Sequence, residues 1–312
     1  MIKPRHSKKT YNSVIILLLA IFILPLTGCT PEKKDTKVGA NNYLPLLSVF
    51  VSIEPQRYFV ERIGGKYIHA EVMVKPGQNP ATYEPTPLQI TRLGKAKAFF
   101  TIGVPFEKSF LKKIKSSLVN LNTIDTSRGI VKRKIIEHNS EEHAKDSTNE
   151  QLDPHIWMSP VLVKKQAAII LNTLVKIDPD HSKDYQSNYK LFIDDLDNID
   201  LDLKKTLSNL KDGIIFVYHP SFGYFADAYN LKQLAIESAG KEPSPKNLEL
   251  IINEIIQKHV KVIFVQPEFQ SSSIQVITKA TGAAVMAVNP LSYDYLKNLR
   301  YIADTLKDNI NP

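Results

Sequence analysis

The chain has 312 residues, of which 43% are apolar and 23% are charged, and this composition excludes collagen-like and low-complexity proteins. Its length is enough for about two domains. Four of the 40 basic residues lie within the first nine, so from residue 29 onward 36 basic residues face 32 acidic ones. That balance is typical of an ordinary protein surface, and it excludes nucleic acid as a partner.

The chain begins with a basic segment, MIKPRHSKK, followed by the apolar run SVIILLLAIFILPL. This run is short for a transmembrane helix and has the flanks of a secretory signal. We therefore predict a signal peptide over residues 1–28, with an uncleaved anchor helix as the alternative. LTGC at residues 26–29 resembles a bacterial lipobox, which implies cleavage before Cys29 and a lipid on its sulfur. Cys29 is the sole cysteine, so the sequence offers neither a disulfide nor a thiolate metal site.

Residues 29–42 are polar and lack periodicity, which indicates a flexible, lipidated tether. Residues 43–179 then alternate β-rich runs with helical patterns. The predicted strands are 46–53, 69–74, 96–103 and 121–127. Such alternation favours βα units around a mainly parallel sheet, and we predict an N-terminal α/β lobe. Within it, the polar segment 137–150 is expected to be a mobile loop.

A long helix is predicted over residues 180–211. The stretch from Asp180 to Leu210 contains no proline or glycine, and apolar residues recur every three or four positions from Tyr185 onward. Residues 212–312 repeat the βα alternation, with strands at 213–220, 231–238, 260–269 and 283–291 and a helix whose N-cap is Ser244. The predicted fold is therefore α/β, with two lobes, each a mainly parallel sheet with flanking helices, joined by one long backbone helix.

Candidate functional residues lie in loops that follow strands, because ligands bind at the carboxyl ends of strands in open α/β sheets. Four such loops carry polar groups: NPATYEPTP (79–87), DPHIWMSP (153–160), YHPSFGYF (218–225) and VNPLSYDY (288–295). His155 and His219 each stand beside a proline in these loops. Taken alone, either histidine is more often a packed residue than a ligand. As a pair, one in each lobe, they indicate a metal site in the cleft.

At these residues the sequence resembles a known family. DPHIWMSP, HPSFGYFADAY, IESAGKEPSPKNLELI and the NPL near the C-terminus are similar to motifs of the cluster A-I receptors, the zinc and manganese solute-binding proteins of ABC importers. The resemblance runs from about Leu46 to Leu306. It implies an exported lipoprotein that captures a divalent transition metal between two lobes and delivers it to a membrane permease.

The resemblance also implies four metal ligands, one from each loop. The second and third fall on His155 and His219. The first is normally a histidine where this chain has Ala81, and the fourth is normally an aspartate where this chain has Asn289. The Asn289 amide is a weak candidate ligand, since two histidines and a neutral amide leave the charge of a metal uncompensated.

Carboxylates, further histidines and water are the groups that could fill the coordination positions left open at Ala81 and Asn289. Glu84, three residues beyond Ala81, is a second weak candidate, and bound water is the alternative. Glu237 and Glu268 end other strands of the C-terminal lobe, where a solvent-facing or helix-capping role is the simpler explanation. His138 and His143 lie in the polar loop, and a role in metal capture is the less favoured reading of them.

The favoured function is thus a metal receptor with zinc as the cargo and manganese or iron as alternatives. We expect it to be a monomer, tethered to the membrane by its lipid and partnered by a permease. A metal-independent adhesion or scaffolding lipoprotein derived from such a receptor is the alternative, supported by Ala81 and Asn289. No catalytic residue is assigned and the chain is not expected to be an enzyme, because neither HExxH nor GxSxG is present and a zinc hydrolase has little support.

Overall fold

The computed structural model describes residues 46–135, 152–237, 240–269 and 271–310. The predicted signal peptide, the tether with Cys29, and the polar loop with His138 and His143 all lie outside these residues. In the part of the chain that is described, no helix has both the length and the apolar character to cross a bilayer.

The first sheet is parallel, with the strand order β2-β1-β3-β4. Its strands are β1 (Leu47–Val51), β2 (Ile68–Val72), β3 (Phe99–Thr101) and β4 (Thr123–Asp125). The central strand has a continuous buried run, Val49, Phe50 and Val51, because helices cover both faces of a parallel sheet. The four strands predicted for the N-terminal lobe are confirmed, each in a shorter form.

The second sheet is also parallel and repeats the topology as β6-β5-β7-β8. Its strands are β5 (Ile214–Val217), β6 (Lys232–Ala235), β7 (Val262–Val265) and β8 (Ala284–Ala287). These confirm the four strands predicted for the C-terminal lobe. In both sheets the chain order reverses beside the first strand, which places a binding crevice at the carboxyl ends of β1 and β5.

Helices flank the sheets and are delimited by local signals. In the described residues they are α1 (Glu54–Gly64), α2 (Pro87–Leu93), α3 (Pro105–Ile114), α4 (Pro160–Ile177), α5 (Ser182–Thr206), α6 (Gly223–Ala228), α7 (Pro245–Gln257), α8 (Ser272–Thr281) and α9 (Tyr295–Asn309). A capping box between Thr86 and Gln89 begins α2. The predicted N-cap of α7 is confirmed, since the Ser244 hydroxyl accepts a hydrogen bond from the Asn247 N–H.

Helix α5 is the predicted long helix. It has 25 residues, or about 38 Å at 1.5 Å per residue, and is shorter than predicted because a 3₁₀ turn stands at each end. The predicted apolar stripe is buried, with Tyr185, Phe192 and Leu196 fully enclosed. One hydrophobic cluster continues from Phe50 of the first sheet through this stripe to Phe264 of the second. A large shared apolar core of this kind restricts relative motion of the lobes.

Arg133 ties the two lobes together near the ends of the sheets. Its Nε lies 3.1 Å from Oδ2 of Asp227 on α6, and its Nη1 lies 3.7 Å from Oδ2 of the buried Asp153. Its backbone N–H donates to the Tyr224 hydroxyl at 3.0 Å. A Cβ at Gly223 would lie 1.6 Å from Arg133 Nη1 and 2.7 Å from Asp153 Oδ2. The guanidinium can occupy this position because residue 223 has no side chain.

We therefore expect Gly223→Ala to lower the free energy of unfolding by about 1–3 kcal/mol, since the guanidinium and α6 must separate. Urea unfolding followed by circular dichroism measures the change. Gly94→Ala is the matched control, because the nearest atom to its Cβ would be the end of the Leu118 side chain, at 3.0 Å, and the backbone oxygens of Thr91 and Ile90 would lie at ordinary contact distances of 3.6 and 3.7 Å. Equal stability of the two variants would contradict this account.

Glu107 on α3 is a buried carboxyl group that anchors the loop after β3. Its two oxygens accept hydrogen bonds from the backbone N–H groups of Ile102 and Gly103, at 3.0 and 2.7 Å. Burial nevertheless raises the pKa of Glu107 from its ordinary value of 4.5 to about 7, with a smaller contribution from the negative charge of Asp125. The folded protein therefore holds this proton more tightly than the unfolded chain.

Because the pKa of Glu107 is higher in the folded protein than in the unfolded chain, the contribution of Glu107 to stability depends on pH. The contribution of Glu107 is fully present below pH 4.5 and is lost as the pH rises to about 7. We expect Glu107→Gln to reduce the loss of unfolding free energy between pH 5 and pH 8 by on the order of 2 kcal/mol. Urea titrations at both pH values test this, with the exposed Glu249→Gln as the control for the chemical change itself. An unchanged pH profile in Glu107→Gln would overturn the assignment.

Candidate metal centre

The first histidine is held by the segment that precedes α4. The carboxylate Oδ1 of Asp153 accepts a hydrogen bond from the His155 backbone N–H at 2.9 Å and lies 2.7 Å from its ring Nδ1. A 3₁₀ turn over Ile156–Met158 follows, and the Trp157 indole donates to the carbonyl of Pro290 at 2.8 Å. The ring of His155 is thereby fixed from one side, and its Nε2 faces the opposite direction.

The second histidine lies two residues after the end of β5, where Gln266 fixes its backbone. The Gln266 side chain accepts from the His219 N–H at 3.2 Å and donates to the His219 carbonyl at 2.8 Å. The ring of Phe269 stacks on the imidazole, with centroids 4.8 Å apart. Because Gln266 and Phe269 follow the neighbouring strand β7, the carboxyl ends of adjacent strands hold this histidine.

Glu237 orients the imidazole of His219. The backbone pairing between β5 and β6 continues past both strands, and the Glu237 N–H donates to the Tyr218 carbonyl at 3.0 Å. The carboxylate Oε1 then lies 2.5 Å from Nδ1 of His219. In both histidines a carboxylate thus accepts the Nδ1 proton, which leaves the Nε2 lone pair available.

The two imidazoles converge across the cleft between the lobes. Their Nε2 atoms are 3.2 Å apart and their ring centroids are 5.1 Å apart. Two nitrogen ligands of a tetrahedral zinc ion, with bonds of 2.0–2.1 Å, stand about 3.3 Å apart. Two lone pairs at this separation repel each other unless a cation or a proton lies between them. The pair therefore has the geometry of a metal site.

Burial changes the acid–base properties of this site. It lowers the pKa of His219 below its ordinary value, an effect that the Glu237 hydrogen bond opposes. Burial also raises the pKa of Glu268, which lines the same cavity. A lowered histidine pKa favours the neutral imidazole, which is the form that coordinates metals.

Both histidines line a cavity of about 280 Å³. Its wall includes Asn79, Pro80, Ala81 and Thr82 from the first loop, which is held stiffly. The Ala81 N–H donates to the Asn79 side chain at 2.8 Å, and the Phe106 N–H donates to the Pro80 carbonyl at 3.2 Å. The first loop thus lies against the site but presents a methyl group there.

The two weak candidates are placed differently. The side chain of Glu84 is 84% exposed, pairs with Lys113 at 3.7 Å and does not line the cavity. Asn289 uses its side-chain oxygen to accept from the Leu291 N–H at 2.9 Å. The structure therefore brings His155 and His219 together without either of the other two. Among the described residues no cluster of three or more histidine, cysteine, aspartate or glutamate side chains could hold a metal.

The sequence by itself assigns no role to most of the residues that support the two histidines. Asp153 is among them, although an aspartate two residues before a histidine can accept from both the backbone and the ring of that histidine. For Gln266 the sequence carries a weaker signal than for Asp153, namely an amide side chain directly after an apolar strand. Glu237 was noted as a strand-end carboxylate, but its contact with His219 depends on the pairing of β5 with β6, which no local pattern reports.

Comparison with known proteins is decisive about the family. The family model described as "Zinc-uptake complex component A periplasmic" matches residues 49–309. This chain belongs to that family. The resemblance to metal receptors of ABC importers is confirmed, and members of this family are binding components of uptake systems rather than enzymes. The prediction that the chain is not an enzyme is confirmed on that ground.

Individual relatives agree with the family assignment. The chain is 26% identical over 312 residues to the "High-affinity zinc uptake system protein ZnuA" of Bacillus subtilis, covering 96% of this chain and 95% of that protein. A solved structure described as "Crystal structure of ZnuA" has a TM-score of 0.77 and 35% identity, with 85% and 99% of the two chains covered. The two-lobed α/β fold class is confirmed by this match.

A third match shows the fold alone. The laminin-binding protein Lmb of Streptococcus agalactiae, described as a bifunctional protein with adhesin and metal transporting activity, has a TM-score of 0.72 and 23% identity. The superposition covers 84% of this chain and 99% of Lmb.

The two hydrogen bonds between the Gln266 side chain and the His219 backbone, called here the Gln266 clamp, give a testable expectation for stability. We expect Gln266→Leu to lower the free energy of unfolding by about 1–3 kcal/mol, because the backbone N–H and carbonyl of His219 lose a fully buried partner. Thermal unfolding of the metal-free protein measures this loss. Gln275→Leu, an exposed position on α8, is the matched control, and an equal effect of both substitutions would contradict the clamp.

Proposed function

We propose that this protein is the extracytoplasmic receptor of an ABC importer and captures a divalent transition metal between its lobes. His155 and His219 are the two protein ligands. The observation that carries the proposal is the 3.2 Å approach of their Nε2 atoms, with each Nδ1 held by a buried carboxylate. Water completes the coordination of the ion in the cavity that both histidines line.

Zinc is the cargo that this donor set favours. Imidazole nitrogen suits zinc, whereas manganese prefers carboxylate and other oxygen ligands. Nδ1 hydrogen bonds to carboxylates raise the basicity of both histidines and fix their rings, as at many zinc sites. The family description and the printed name of the Bacillus subtilis relative both refer to zinc uptake.

The proposed location is the outer face of the cell membrane. The signal over residues 1–28 directs export, and a lipid on Cys29 retains the protein at the membrane through the tether. The permease of the importer is the partner that receives the metal. The family description, which names a periplasmic component of an uptake complex, supports this assignment.

Zinc binding tests the proposal directly. Isothermal calorimetry on the full chain in detergent, stripped of metal, is expected to give one zinc per chain. We expect His155→Ala and His219→Ala each to weaken binding at least 100-fold, because each removes one of two nitrogen ligands. His69→Ala, an exposed histidine on β2, is the control and retains wild-type affinity. Absence of zinc binding by the wild-type chain at micromolar concentration would refute the proposal.

A metal-independent adhesion role is the second candidate. It is favoured by Ala81 and by the engagement of the Asn289 side chain in a local hydrogen bond. The fold is shared with Lmb, whose description includes adhesin activity. Thermal stability unchanged by zinc and by chelator, together with chelator-resistant binding to an extracellular-matrix protein, would favour adhesion over transport.

A further inference from the structure

Two buried carboxylates stand behind the histidine pair, and they differ in how their charge is balanced. The side chain of Asp153 is 1% exposed and has the Arg133 guanidinium 3.7 Å away, in addition to the ring of His155. Its negative charge therefore has a permanent cationic neighbour. A metal ion bound by the histidines would therefore add positive charge beside a carboxylate that Arg133 already compensates.

Glu237 has no such neighbour. Its side chain is 2% exposed, and its Oε1 lies 2.5 Å from Nδ1 of His219. In the described part of the chain, no lysine or arginine nitrogen lies within 4 Å of this carboxylate, and the ring of His219 is its partner. A buried carboxylate without a cation is costly, and structures retain one where a cation is bound or a proton is held.

The position where a cation would compensate Glu237 is the far side of the same ring. His219 presents Nδ1 to the carboxylate and Nε2 to His155, so an ion between the two Nε2 atoms is separated from Glu237 by one imidazole. A carboxylate in this relation fixes the ring and raises its donor strength. Neither His155 nor Asn289 supplies a negative charge to the ion, and Glu237 is the buried carboxylate that contacts the ring of His219 on the side opposite Nε2.

We propose that Glu237 is the positioning residue that makes this site bind a dication, by orienting His219 and by supplying the charge that the ion compensates. The inference rests on the proposed function and deepens it. Glu268 also lines the cavity but has no hydrogen bond to either histidine among the described contacts, whereas Glu237 contacts the ring of His219 directly. Glu249→Gln, at an exposed position on α7 that does not line the cavity, is the control for the same chemical change.

The two states of the protein respond to the loss of this charge in opposite directions. Without metal, Glu237→Gln removes a buried charge that has no cation and keeps an amide oxygen for the His219 Nδ1 proton, so the melting temperature stays equal or rises. With metal, the same change removes the compensating charge, and zinc affinity falls about 10- to 100-fold. A residue that serves the fold alone would lower the melting temperature of the metal-free protein instead.

The experiment compares the wild type, Glu237→Gln and Glu249→Gln as full chains in detergent. Zinc affinity is measured by competition with a chelating dye, and the melting temperature of the metal-free form by calorimetry. We expect Glu249→Gln to change zinc affinity less than threefold. A wild-type chain that binds no zinc refutes the proposed function itself.

Three results overturn the inference about Glu237 while the proposed function stands. The first is wild-type zinc binding with an affinity of Glu237→Gln within threefold of it. The second is an equal loss of zinc affinity in Glu237→Gln and Glu249→Gln. The third is a Glu237→Gln chain that is unfolded or less stable without metal, since the inference requires the metal-free protein to tolerate the change.

Discussion

Two imidazole nitrogen atoms approach to 3.2 Å across the cleft, and the rest of the structure serves to hold them there. Their lone pairs repel when nothing lies between them, so the rings of His155 and His219 would turn apart if they were free. Asp153 and Glu237 prevent this by accepting the Nδ1 protons from behind. A cation between the two Nε2 atoms would remove this repulsion, and the two carboxylates hold the rings in the orientation that such a cation requires.

The short distance between the two rings requires a fixed relative position of the lobes, because each histidine lies in a different lobe. The shared apolar core runs through α5, and Arg133 bridges the lobes beside Asp153. The same guanidinium therefore contributes both to lobe packing and to the electrostatic surroundings of His155. This position of the guanidinium requires a glycine at residue 223, because a Cβ there would lie 1.6 Å from Arg133 Nη1. Negative charge lies behind the two imidazole rings, and the ligands proposed for the metal are nitrogen donors, which suit zinc better than manganese.

Most of the fold was predictable because its signals are local. All eight strands, the apolar stripe of α5 and the Ser244 N-cap were predicted, since periodicity and capping depend on residues only a few positions apart. The ends of α5 were less well predicted, because the 3₁₀ turn after it, Ser208–Leu210, contains neither glycine nor proline, and the turn before it, Pro179–His181, extends into the predicted helix. Helix ends depend on packing more than on composition.

The site was predictable only in part. The sequence alone determined that His155 and His219 end up near each other, because prolines and strand ends place them at the carboxyl edges of two sheets. The tertiary structure decided which groups support them. Glu237 meets His219 through the register of β5 with β6, while Glu84 pairs with Lys113 at the surface. Side-chain direction and long-range pairing arise from packing between distant segments, which no local pattern in the chain encodes.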